Sequence, residues 1–216
     1  MAQSSKTVEE LIREVDSTGN NDALIDIINI IELNTFFRNY SIEEKIARFN
    51  AIYDREKIEV ILTNDEIDEI ARYFLLWSEF PKKVDRSQIL WGLRYFPGGI
   101  GAKVILEIIQ KYGDDLNYSG SQSNEISGVL KALTDAFFWN RDFDEIKARY
   151  LLTKMNPIPF LKKYIDFPDD EINEISSYAG ELLDSFTQIL DGYTFNIETN
   201  ELSPPQHLIP KIPIKE

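Results

Sequence analysis

The sequence predicts an all-α protein: an irregular array of about nine or ten antiparallel helices followed by an extended, Pro-rich C-terminal tail. Three observations carry this expectation. Apolar residues recur at steps of three and four from residue 8 to about residue 190, which places them on one side of successive helices. Helix-start signals stand in front of the same segments. The two-residue alternation of a half-buried strand shows itself only after the last of these stripes.

Taken in order, Val8, Leu11, Ile12 and Val15 make a short first stripe. Leu24, Ile25, Ile27, Ile28 and Ile31 make a wider one behind Asp22, an acceptor able to cap free backbone amides. Three capping boxes follow, in which an N-cap oxygen and an acid three residues on satisfy each other's backbone N–H: Ser41 with Glu44, Thr63 with Glu66, and Asp142 with Glu145. The stripes behind them are Ile42, Ile46, Phe49, Ile52, then Ile67, Ile70, Ala71, Phe74, then Phe143, Ile146, Tyr150. Further helices are expected from near Ser87 (Ile89, Leu90, Leu93, Phe96), after Gly101 (Val104, Ile105, Ile108, Ile109) and from Ser123 (Ile126, Leu130, Leu133, Phe137). Pro157 and Pro168 suit first-turn positions, where the missing N–H costs nothing. The last long helix is expected over 168–191, stopped by Gly192.

Beyond it, Tyr193, Phe195 and Ile197 alternate as in one short strand, and residues 203–216 hold Pro204, Pro205, Pro210 and Pro213. The expected organisation is a single all-α domain over 1–192 and an irregular Pro-rich tail over 193–216, which lies on the domain to bury Ile209, Ile212 and Ile214.

Residues 89–114, ILWGLRYFPGGIGAKVILEIIQKYGD, read as an apolar helix, a Gly/Pro turn and a second helix with small residues at its entry. This hairpin resembles a HEAT-type repeat. Helix starts near 41, 87, 123 and 157 are spaced like helical repeats. The resemblance implies a HEAT-like α-solenoid, whereas the residues themselves equally allow a compact helical globule.

Composition excludes much chemistry. The 216 residues include no Cys and one His, so disulfides, thiol nucleophiles, thiolate zinc sites and imidazole clusters are all out of reach. His207 lies in the Pro-rich tail, a poor place to hold a catalytic imidazole. No cofactor is expected. The opening MAQSSKTVEE lacks the basic and apolar stretches of a signal peptide, and no apolar run nears the roughly 18 residues of a membrane span. The chain therefore reads as cytoplasmic, with no membrane partner.

The formal net charge is −14, divided as −9 over residues 1–80, +2 over 81–160 and −7 over 161–216. A surface this acidic repels a polyanion, so no nucleic-acid partner is expected, while a basic protein would be attracted.

Four places could carry chemistry. The loop 115–125 sets Asp115, Asn117, Ser119 and Glu125 around Gly120 and resembles an EF-hand calcium loop. It departs from that pattern in placing Glu125 one position early and Gln122 where an apolar residue belongs, which leaves two formal charges for an ion. Asp169, Asp170, Glu171 and Glu174 resemble the aspartate-rich motif of all-α prenyl-transfer enzymes, without a matching second motif; acids in a first turn after Pro168 also complement the helix dipole. Gly98, Gly99, Gly101 and Lys103 form a Gly-rich helix entry but lack the Ser/Thr of a phosphate loop, since Val104 follows the lysine. The central band carries aromatics and arginines of the kind that anchor interfaces. There Phe74, Trp91 and Phe137 read as packing residues, and Arg94, Tyr95, Trp139, Asn140 and Arg141, beside turns, as surface candidates.

The function these features support is a non-enzymatic protein-binding module with a basic protein partner. Small size, acidity and helical pairs resemble bacterial immunity or inhibitor proteins that block a toxin. Two faces could bind: an acidic one with Glu66, Asp68 and Glu69, or the central band with Arg94, Tyr95, Trp139 and Arg141. Alternatives are an all-α enzyme with a carboxylate and divalent-metal site, and a structural subunit of a larger assembly; oligomeric state is left open.

Overall fold

A computed structural model describes residues 6–36, 39–53, 61–97, 99–117, 124–139, 145–167, 174–191, 194–196 and 201–203. Among these residues the chain forms ten α-helices: α1 (Val8–Thr18), α2 (Asn21–Phe36), α3 (Ile42–Tyr53), α4 (Asn64–Ser78), α5 (Arg86–Leu93), α6 (Ile100–Tyr112), α7 (Glu125–Thr134), α8 (Glu145–Lys154), α9 (Ile158–Lys162) and α10 (Ile175–Ile189). A π-helical turn, Asp135–Trp139, continues α7.

Local chemistry sets most helix starts. The Ser41–Glu44 and Thr63–Glu66 boxes are formed, and a third, Thr7 with Glu10, opens α1. Asp142 and Glu145 cannot be compared, because Asp142 lies outside the described residues. Some starts differ from the sequence expectation. Asn20, rather than Asp22, caps α2: its side-chain oxygen accepts from the N–H of Asp22 at 3.0 Å. Asp85 caps α5, and Asn124 caps α7 by accepting from Ile126 and Ser127. Helix α6 starts at Ile100, ahead of Gly101, and α10 at Ile175, well after Pro168, because Glu174 has non-helical dihedrals. Asp169, Asp170, Glu171 and Gly192 lie outside the described residues.

The helices stack as successive pairs. Along one side α2 touches α5, α5 touches α7 and α7 touches α10; along the other α1 touches α4 and α4 touches α6. The two rows are stitched together by α1 on α2, α4 on α5 and α6 on α7. Between them lies one continuous core, with Leu11, Leu24, Ile28, Ile70, Phe74, Ile89, Phe96 and Phe186 fully buried. Gly92 lets α5 approach two neighbours together: a Cβ there would stand 2.6 Å from Cγ1 of Ile28 and 2.9 Å from Cε2 of Phe74. Gly101 does the same for the α5–α6 hairpin, where a Cβ would meet the carbonyl oxygen of Leu93 at 2.0 Å.

Helices α8 and α9 pack on α10. The expected single strand is a two-stranded antiparallel pair, β1 (Thr194–Asn196) and β2 (Glu201–Ser203), with Phe195 opposite Leu202 and β2 beside α8. The Pro-rich residues 204–216 lie outside the described residues. Two expected core stripes face outward in their described members, while Phe49 and Ile52 of the first, in their side chains, and Phe143 of the second lie outside the described residues. Ile42 and Ile46 on α3 are exposed, as are Ile146 and Tyr150 on α8, where Ala148, Leu151 and Leu152 are the buried residues. Trp91 is 37% exposed rather than core, whereas Phe74 and Phe137 are buried as expected.

One ion pair sits inside this packing. Arg86 is 4% exposed and its Nη1 stands 3.2 Å from Oε2 of Glu125, itself 8% exposed. Nε and Nη2 of Arg86 donate to the carbonyl oxygen of Ser78 at 2.9 and 2.8 Å, and the guanidinium lies over the Tyr112 ring at 5.2 Å. Oε2 of Glu125 also accepts from the Asn117 N–H at 2.9 Å. Burial, with the Glu79 carboxylate as a hydrogen-bond partner, holds the Tyr112 hydroxyl above its ordinary pKa. Removing one member of such a pair strands the other charge in a low-dielectric site. Arg86→Met is therefore expected to lower the unfolding free energy by about 3–5 kcal/mol, and Arg86→Met with Glu125→Leu to recover most of that loss. Denaturant midpoints of the two variants check this.

Candidate functional site

The acidic candidates lie on α4. The Thr63–Glu66 box fixes its start, with Oε2 of Glu66 accepting from the Thr63 N–H at 2.6 Å. Ile67, Ile70, Ala71, Phe74, Trp77 and Ser78 are buried, so the helical period turns Asp65, Asp68, Glu69, Arg72 and Leu76 outward. Asp65, Asp68 and Glu69 make no ion pair among the described residues. A depression of about 430 Å³ runs over this face, with Asp68, Glu69 and Tyr73 in its wall. On the other side of Glu69 and Tyr73, a second groove of about 410 Å³ separates α4 from α1. The structure thus brings Glu66, Asp68 and Glu69 together, as the sequence suggested, and adds an apolar floor beside them.

The central band is built differently. Arg94, just past α5, forms a 2.6 Å ion pair with Asp135 at the start of the π-helical turn, and its guanidinium also acts on Glu32 of α2. It leans over Tyr95 at 5.4 Å, and Tyr95 meets Trp91 edge-on at 5.2 Å between centroids. Arg94 is thereby committed to tying the end of α5 to the π-helical turn that continues α7. Trp139 ends the π-helical turn, its side chain outside the described residues, as are Asn140 and Arg141 entirely. The structure joins Arg94 to Tyr95 and, through Tyr95, to Trp91, which the sequence reading had placed in the core, and it adds Glu32 and Asp135, which that reading missed. Glu32 did leave a signal, being one acid inside the apolar run Ile30, Ile31, Leu33. Asp135 had none, since its partner is remote in sequence.

Glu32 and Asp135 are half-buried carboxyls. For both, burial raises the pKa, and Arg94 offsets this only in part.

In the 115–125 loop, Glu125 and Asn117 are brought together, but through the Asn117 N–H and carbonyl groups, with the Glu125 carboxylate turned inward to Arg86. Asp115 is exposed and Ser119 lies outside the described residues. Among the described residues no group of three His, Cys, Asp or Glu is gathered as metal ligands would be. None of the described helices is long and apolar enough to cross a membrane. Comparisons with family models, curated proteins and solved structures find no match to this chain.

The raised carboxyls give a pH dependence with a definite sign. An acid whose pKa is higher folded than unfolded holds its proton more tightly when folded, so its contribution to stability falls as pH rises from the ordinary carboxylate range through the raised value. Glu32→Gln removes that loss at one of the two sites. The variant is expected to gain stability relative to the parent as pH rises from about 4 to about 7, and denaturant titrations at each pH measure the difference. An unchanged difference across that range would show that Glu32 ionises freely.

Proposed function

We propose that this chain is a non-enzymatic protein-binding module of the bacterial immunity or inhibitor type, which holds a basic partner on the acidic outer face of α4. The observation that carries this reading is the set of three exposed carboxylates, Asp65, Asp68 and Glu69, which face solvent without ion-pair partners among the described residues beside two adjoining grooves. Carboxylates left uncompensated on a surface attract a cationic partner from a distance and speed its encounter. Arg94 offers less to a partner, because Asp135 already neutralises it at 2.6 Å. The succession of helical pairs, each packed on the next, supports a HEAT-like solenoid, an architecture suited to presenting a long surface. The net charge of −14 argues for a protein partner over a nucleic acid, and the chemistry available argues for binding over catalysis.

The test is an affinity capture from the source organism at low salt, repeated with two variants. Capture of a basic protein is expected with the parent chain, reduced by at least about tenfold in Glu66→Lys/Asp68→Lys/Glu69→Lys, and weakened as ionic strength approaches about 0.5 M. Arg94→Ala is expected to leave capture in place. Retention of the partner by the charge-reversed chain would end the proposal for this face.

A further inference from the structure

The α1–α4 groove has features that the acidic face alone does not require. Its floor is apolar, formed by Val8 and Ile12 of α1 with Ile70 and Tyr73 of α4, and Ile61, 45% exposed, stands at its edge. Its rim is acidic, with Glu9 on one wall and Glu66 and Glu69 on the other, against Arg13 as the one cation among the described lining residues; Arg13 is itself 3.7 Å from Glu9. The groove is held open by fixed contacts at one end. The indole N–H of Trp77 donates to Asp16 Oδ1 at 3.4 Å, and the Lys83 ammonium donates to the Asp16 carbonyl, so α1 is tied to the far end of α4. At the other end the Thr7–Glu10 and Thr63–Glu66 boxes fix both helix starts. About 410 Å³ is room for more than one apolar side chain.

From this geometry we infer that the α1–α4 groove is the seat of a basic amphipathic helix of the partner protein, with aliphatic anchors on the Ile12–Ile70–Tyr73 floor and Lys or Arg against Glu9, Glu66 and Glu69. The inference rests on the reading of α4 as the binding face and names what that face takes. Charge complementarity selects a cationic segment. Backbone chemistry selects its conformation. The two walls are chiefly the helices α1 and α4, whose interior N–H and C=O groups bond within each helix, so along these helices an extended peptide finds no sheet edge to pair with, whereas a helix brings its own hydrogen bonds satisfied. Anchors on one helical face, at three- and four-residue spacing, match a groove that runs between two helices.

The test uses two fluorescent synthetic peptides of equal positive charge, one a Leu/Lys amphipathic helix and the other with each Leu replaced by Ser, titrated by anisotropy against the full chain. The amphipathic peptide is expected to bind at least about tenfold more tightly than the polar one, and Ile61→Ser or Tyr73→Ala to remove about that factor, the loss that follows from withdrawing one apolar contact. Ile61→Ser alters an exposed residue ahead of α4, so it keeps the result interpretable if Tyr73→Ala unfolds. Equal binding of both peptides, lost on Asp65→Lys/Asp68→Lys but indifferent to Ile61→Ser, would overturn the groove and leave the acidic face standing. Binding of neither peptide at about 0.05 M salt would overturn both. A doubled mass in solution that Ile61→Ser returns to one chain would assign the groove to a second copy and reject the partner helix.

Discussion

The guanidinium of Arg86 is the point from which the arrangement of four helices follows. It sits at the first turn of α5 and meets the last carbonyl of α4, the Glu125 carboxylate at the start of α7 and the Tyr112 ring at the end of α6. A charge 4% exposed carries a desolvation cost of several kcal/mol, and only well-placed partners offset it. Apolar surfaces can slide past one another at small cost, but this cation has one set of acceptors within reach. Its burial therefore fixes the ends of α4, α5, α6 and α7 relative to one another, and leaves Ile70, Phe74, Ile89, Leu93, Ile105 and Leu130 to fill the space between.

The orientation of α4 is a consequence. Arg86 holds the carbonyl at its C-terminal end and its buried apolar face sets its rotation, while the Thr63–Glu66 box fixes where it starts. The residues left outside include Asp65, Asp68 and Glu69, beside Arg72 and Leu76. Trp77 then extends the same constraint to α1 through Asp16, and the space between the two helices becomes a groove with an apolar floor and carboxylates along its rim. Arg94 performs a related task at the end of α5, where it pairs with Asp135 across the other row of helices and its charge reaches Glu32 of α2. Two arginines of the central segment, where charge turns positive, thus hold helices together, and the acidic flank keeps its charge for solvent or a partner.

How much of this can be read from residues alone depends on range. Ser41 with Glu44 and Thr63 with Glu66 form the boxes their spacing announces, because both partners lie within one helical turn. Thr7 with Glu10 has the same spacing and was equally legible, though not read. The stripes of α1, α4, α6 and α7 are buried where the period places them. Those of α3 and α8 are exposed in part, since periodicity tells which residues share a face but not whether another helix covers it. Trp91 differed for the same reason: the period places it on a face with Ile89 and Leu90 nearby, but not how far that face is covered, and it is 37% exposed.

The candidate site divides along the same line. That Glu66, Asp68 and Glu69 share an outer face was legible, because a helix with Ile67, Ile70 and Phe74 inward must turn them outward. The groove beside them was not, since its opposite wall comes from α1, more than fifty residues earlier. Sequence by itself determined the all-α class, the helix starts at Ser41 and Thr63, the net acidity and the lack of cysteine, all of which are set by composition or by contacts within about one turn. Tertiary structure alone decided that Arg86 pairs with Glu125, that Arg94 is spent on Asp135, and which apolar stripes are covered. Those outcomes depend on desolvation and on charges distant along the chain, which have no local signature.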